Sequence, residues 1–314
     1  MDELHLPSAI ENSQCILVAG AGGGLDVYAG LPIYERLRLL GKKVHLANLS
    51  FVSLGTTNAQ ALTRALYAVE PTTTLQGSYF PERTLAQYLS QRGQNVPVYA
   101  FEKLGVVPIR EGYAYLVQAL GLDAIVLVDG GTDILLRGDE AGLGTPSEDM
   151  ASLAAVAVMD VPTRVVACVG FGIDTYHGVC HANWLENVAA LAADGAFLGA
   201  TALLERMPEV RLYRDAVNAA DMTTWQRPSI VNGSIVSAIE GHFGDYHRNP
   251  RTQSSRLFIN PLMSFLWAFD LATVARRNLY LDRLSDTETI QDVHLAIEYF
   301  RETVRCRPWE AIPH

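Results

Sequence analysis

Three apolar runs in this chain each break into a loop of glycine and aspartate. Ile16-Leu17-Val18-Ala19 leads into Gly20-Ala21-Gly22-Gly23-Gly24-Leu25-Asp26. Ala124-Ile125-Val126-Leu127-Val128 leads into Asp129-Gly130-Gly131-Thr132-Asp133, and the run from Thr163 to Val169 into Gly170-Phe171-Gly172-Ile173-Asp174. Short unbroken apolar runs of this kind suit strands buried on both faces, the situation of a parallel sheet covered by helices. Ligand sites in such sheets form just beyond the carboxyl ends of the strands. The three loops are therefore expected to share one crevice.

The intervening segments fit. Val27 to Leu40 places Leu31, Ile33, Tyr34, Leu37 and Leu40 near a helical period, with Pro32 in the first turn and Gly41 as a C-cap. Lys43 to Leu49 then supplies a second strand, completing a β-α-β unit. Further helices are expected over Ala59–Val69, Glu82–Arg92, Glu111–Leu120 and Met150–Val158, the last opened by Ser147, Glu148 and Asp149. Val96–Phe101 reads as another strand and 71–81 as a loop. A helix follows His181 through Ala193, and beyond it the pattern is mostly helical, with Leu257–Pro261 as a last short strand and Leu262–Arg277 as a buried helix. The expected fold is one α/β domain over residues 1–314. Its sheet is doubly wound, mostly parallel and Rossmann-like, with a strand-rich core at 15–175 and a mainly helical remainder at 176–314.

Composition narrows the function classes. The 34 acidic against 24 basic residues give a formal net charge of −10, and no long basic run occurs. Nucleic acid and anionic membranes are thus poor partners, because phosphate-backbone binding needs clustered Lys and Arg. Charged residues make up 18% of the chain, against roughly 25% in ordinary soluble proteins, which points to a homo-oligomer. Cys15, Cys168, Cys180 and Cys306 show no C-x-x-C spacing, and Met1 to Ser13 lacks the features of a secretory signal, so a cytoplasmic setting is expected.

The glycine loop would let backbone approach a ligand closely, with Gly20, Gly22, Gly23 and Gly24 contributing amides at a helix start. It fails as a dinucleotide fingerprint. The last glycine of G-x-G-x-x-G falls at Leu25, the second strand ends at Asn48 where a ribose-binding acid is expected, and Asp26 would repel a phosphate unless a cation lay between. NAD and FAD are disfavoured accordingly. In the second loop Asp129 and Asp133 flank Gly130 and Gly131; two carboxylates there suit acid/base chemistry or a hard divalent cation, with Asp174 as a third ligand. Against this stands the plain alternative of a solvated acidic loop.

His177 and His181, four residues apart, would share a face if both were helical, although Gly178 lies between them. They are candidate acid/base residues. A fourth loop, Glu240 to Arg251, offers Arg248 and Arg251 as clamps for a carboxylate or phosphate, or merely as surface charge.

Three of these segments, Gly22-Gly23-Gly24-Leu25-Asp26, Asp129 to Glu140, and His177-Gly178-Val179-Cys180-His181, together resemble an uncharacterised family of bacterial and archaeal proteins catalogued only as a domain of unknown function. That resemblance implies no activity. From the residues, the expectation is an enzyme acting on a small polar, anionic metabolite, such as a nucleotide or phosphorylated compound. Acid/base or metal-assisted hydrolysis, elimination and group transfer remain open. The alternatives are a non-catalytic ligand-binding or regulatory module and a nicotinamide- or flavin-dependent oxidoreductase.

Overall fold

The computed structural model describes residues 3–77, 79–223 and 227–312. Nine strands form one sheet: β1 (Cys15–Gly20), β2 (Lys43–Leu49), β3 (Gln60–Ala61), β4 (Leu66–Val69), β5 (Val98–Phe101), β6 (Ala124–Asp129), β7 (Thr163–Cys168), β8 (Phe197–Ala202) and β9 (Phe265–Asp270). Their spatial order is β3-β4-β5-β2-β1-β6-β7-β9-β8. The central run β5-β2-β1-β6-β7 is parallel, and β4 and β9 pair antiparallel on its two sides. The chain winds outward from β1 through β2 to β5, then returns to the middle and winds the other way through β6 to β7. This is the expected doubly wound, Rossmann-like arrangement, and its switch point lies between β1 and β6. Leu17, Ala19, Ile125 and Leu127 pack into the core on one face of the sheet, and Ile16, Val18, Val126 and Val128 into the core on the other. The unbroken apolar runs are thus buried on both faces.

Four expectations for the outer parts need correction. Residues 59–69 are not a helix but the hairpin of β3 and β4, which extends the sheet beside β5. The apolar stretch at 196–204 is β8, and the helix expected over 262–277 is split into β9 and a short helix, Leu271–Arg277. The mainly helical remainder therefore returns two strands to the sheet. Aromatic cross-strand contacts account for this: Phe197 on β8 stacks on Trp267 and Phe269 of β9, with ring centroids 5.9 and 5.2 Å apart. Leu257–Pro261 contributes an isolated bridge between Ile259 and Gly244 rather than a strand. Among the described residues no helix is long and apolar enough to cross a membrane.

Candidate functional site

The carboxyl ends of β1, β6 and β7 deliver aspartates to the switch point. Asp26 opens the short helix after the glycine loop, Asp129 is the last residue of β6, Asp133 begins the 3-10 turn Asp133–Leu135, and Asp174 is the second residue of the 3-10 turn Ile173–His177. A fifth, Asp149, comes from the first turn of the helix Pro146–Ala157. Ser152, one turn further along that helix, donates to the Ala21 carbonyl at 2.8 Å and so ties it to the glycine loop.

Carboxylate oxygens of Asp26, Asp129 and Asp149 lie within 4.8 Å of one another. Missing side chains make this approach feasible. A Cβ on Gly22 would meet oxygens of Asp149 and Asp26 at 2.8–2.9 Å; one on Gly130 would meet Asp26 at 2.8 Å, and one on Gly131 would meet Asp174 and Asp129 at 2.9–3.0 Å. Glycine at these positions is a steric requirement of the packed carboxylates.

Four of the five aspartates are held alike. A backbone amide donates to one oxygen of each: Gly22 to Asp26 at 2.8 Å, Ile134 to Asp129 at 3.2 Å, Thr145 to Asp133 at 2.7 Å and Thr132 to Asp174 at 2.7 Å. In every case the oxygen is Oδ2. Asp149 differs. It is 2% exposed, and its Oδ1 is buried without any hydrogen-bond partner. Burial is the main force raising all five carboxyls above the ordinary range, and repulsion from neighbouring carboxylates adds to it for Asp26, Asp129, Asp149 and Asp174. Asp26 is pushed up to about 8, chiefly by burial and then by the charge of Asp133, against the opposing bond from Gly22. Cations of neighbouring segments are engaged elsewhere: Lys103 with Glu148, Arg137 with Asp139, and Arg307 with Asp139, Glu140 and Glu186.

A converging set of aspartate oxygens, with Asp26 and Asp129 oriented by backbone amides and an oxygen of Asp149 left unsatisfied, has the donor chemistry of a hard divalent cation site. Asp26, Asp129 and Asp149 are the residues that fit direct coordination. Asp133 and Asp174 stand beside them through Asp129 and Gly131.

Two amides of the glycine loop are engaged within the chain. Its Gly22 amide is taken by Asp26, a carboxylate of the chain itself. Gly24 donates its amide to the Leu49 carbonyl. Gly20 faces Asn48 and the start of the following helix rather than a ligand. Asn48 brackets the loop from β2: its Nδ2 donates to Gly24 O at 2.9 Å and Glu82 Oε1 at 2.6 Å, and its Oδ1 accepts from the Val27 amide.

The histidines separate. Gly178, with φ +88°, divides the 3-10 turn from the helix His181–Ala193, so His177 and His181 share no helical face. His177 is exposed, and its charge favours the ionised form of Asp133. His181 is engaged by other residues, its Nε2 2.8 Å from Thr175 Oγ1 and its ring against Phe171. The 240–251 loop also stays outside. Arg248 pairs with Glu240 and donates to Asn218, and Arg251 donates to the Pro228 carbonyl, so neither clamps an anion at the carboxylates. That loop packs against the helix Ile230–Ile239, whose Asn232 donates to Leu25 O at 3.0 Å and supports the glycine loop from behind.

Sequence reasoning missed Asp149, which reads as an ordinary acidic helix start. The distinguishing fact is that residues 149 and 152 lie one turn apart on a buried helix face. Glu140, by contrast, is structural: it accepts from the amides of Arg137 and Gly138 and from Asn187.

The family described as a protein of unknown function (DUF1152) matches the chain over residues 55–301. The chain belongs to this family. The DUF1152 match spans Asp129, Asp133, Asp149 and Asp174 and begins after Asp26. No curated protein and no solved structure matches the chain.

Proposed function

We propose that this DUF1152 protein is a divalent-cation-dependent enzyme that hydrolyses, or transfers a group from, a small anionic metabolite such as a phosphorylated compound. The observation that carries the reading is the buried, unpartnered Oδ1 of Asp149 among converging carboxylates of Asp26 and Asp129. A buried charge without a partner is among the most destabilising features a fold can hold, and a cation at this point removes it. Held there, a cation supplies Lewis acidity toward an anionic oxygen and makes water a better nucleophile at neutral pH.

The remaining residues have separable tasks. Asp133 and Asp174, raised by burial but fixed by Thr145 and Thr132, suit proton transfer beside the cation site. His177, exposed next to Asp133, suits proton exchange with solvent. With the glycine amides committed internally, an anionic substrate would be attracted by the cation rather than by the loop.

The test is an assay of EDTA-stripped protein against phosphomonoesters, nucleotides and carboxylate esters, with and without Mg2+ or Mn2+. Turnover should require the cation and disappear in Asp129→Asn and Asp149→Asn. Turnover that persists in EDTA would refute the proposal. So would cation-loaded protein that binds members of the panel without converting any, a result that would favour a ligand-binding module.

A further inference from the structure

His181, which the aspartate site leaves unused, belongs to a second pocket on the other side of the Ile173–His177 turn. Its volume is about 220 Å³, below the roughly 300–1,000 Å³ of sites for drug-sized ligands. Ile173, Ile259 and Met263 form a buried apolar wall. The segment carrying Ile259 is fixed by paired bonds, Gly244 N–H to Ile259 O at 2.8 Å and Ile259 N–H to Gly244 O at 2.9 Å. Thr175 and His181 supply the polar end, joined through Oγ1 and Nε2 at 2.8 Å. Burial lowers the His181 pKa against the opposing backbone bond at Gly172. Arg256 completes the lining and, among the described residues, has no ion-pair partner. Among the described residues no Asp or Glu lines the pocket. Against the chain's net charge of −10, the exposed, unpaired Arg256 guanidinium at the rim of this apolar pocket is a local attraction for negative charge.

We propose that this pocket binds a small organic monoanion, a carboxylate with a short apolar body. The body would lie on Ile173, Ile259 and Met263. The carboxylate would face the planar donor fork of Arg256, which matches its two oxygens, with the Thr175–His181 pair as a further hydrogen-bonding group. Size and charge both point to this class: the pocket is too small for a nucleotide, and a neutral hydrocarbon would leave Arg256 unanswered. The site uses none of the five aspartates. Two elements join the sites: the turn that carries both Asp174 and Thr175, and the helix begun by His181, whose Trp184 donates to the Thr132 carbonyl at 2.9 Å.

Hexanoate is the probe, titrated by calorimetry or ligand-detected NMR into the full chain, with hexanamide as its neutral counterpart. Hexanoate should bind at one site and hexanamide at least about tenfold more weakly. Arg256→Ala should weaken hexanoate by a similar factor with an unchanged melting temperature, and Thr175→Val by less. Asp149→Asn should leave hexanoate binding as it is, so this inference and the cation-site reading fail independently. Absence of hexanoate binding at 10 mM (about tenfold above a weak millimolar affinity), equal affinity for the amide, or an Arg256→Ala variant that binds normally would each overturn it.

Discussion

Asp149 is the only one of the five aspartates with a fully buried oxygen that lacks a hydrogen-bond partner. Without a cation its charge is a liability, and with one it becomes a ligand. The two states make opposite demands on a single substitution. In EDTA, Asp149→Asn should raise the melting temperature or leave it unchanged, because it removes a buried, repelled carboxylate. In millimolar Mn2+ or Mg2+ the wild type should gain stability, by about 2.7 kcal/mol at a hundredfold excess over Kd, and the variant should gain little. Parallel thermal melts measure both.

Glu82 provides a pH test outside the cluster. It is fully buried, hydrogen-bonded by Asn48, and raised by burial from 4.5 to about 7. A raised carboxyl means that the folded chain binds more protons than the unfolded chain between these two values. Its contribution to stability is therefore fully present below about 4.5 and declines as pH rises to about 7. The shift corresponds to roughly 3 kcal/mol. Glu82→Gln should remove most of that decline, as read from urea unfolding at pH 5 and pH 7.5. A slope unchanged by the substitution would contradict the burial argument.

Among the elements, the glycine loop and the helix Pro146–Ala157 act as a pair, joined by Ser152 and by the approach of Asp149 to Gly22. Gly22→Ala should push Asp26 and Asp149 apart, cost about 1–3 kcal/mol, and abolish cation binding. Ser152→Ala should cost about 1 kcal/mol and weaken cation binding only modestly. Calorimetric titration with Mn2+ beside chemical unfolding separates the two effects.

This pairing also shows what the sequence made legible. Runs such as Ala124–Val128 have no polar interruption, so the parallel strands and the loops at their ends could be read directly. Asp26, Asp129, Asp133 and Asp174 follow strands and were found for that reason. Asp149 sits on a helix, where an acidic first turn is explained equally well by the helix dipole, and only its packing against Gly22 sets it apart. Phe265–Asp270 was misread because its apolar residues fit either period; its pairing with β7 and β8 decides the outcome. The partners of Arg248 and His181 are set by tertiary contacts that local spacing does not encode.

For the whole molecule, the winding order matters more than any loop. Because β1 and β6 are neighbours although more than a hundred residues separate them, Asp26 and Asp129 meet at one crevice. The sheet is continued on both sides by antiparallel strands, which leaves that switch point central. In a chain of net charge −10, five aspartates gather at this point while the neighbouring Lys103, Arg137 and Arg307 pair with other acids, so the local field favours a cation there. Calorimetric titration of Mn2+ into EDTA-stripped protein tests this most directly. Saturable binding in the wild type that falls by about 10–100-fold or more in Asp149→Asn is the predicted result; no saturable binding, or equal binding in the variant, would contradict it.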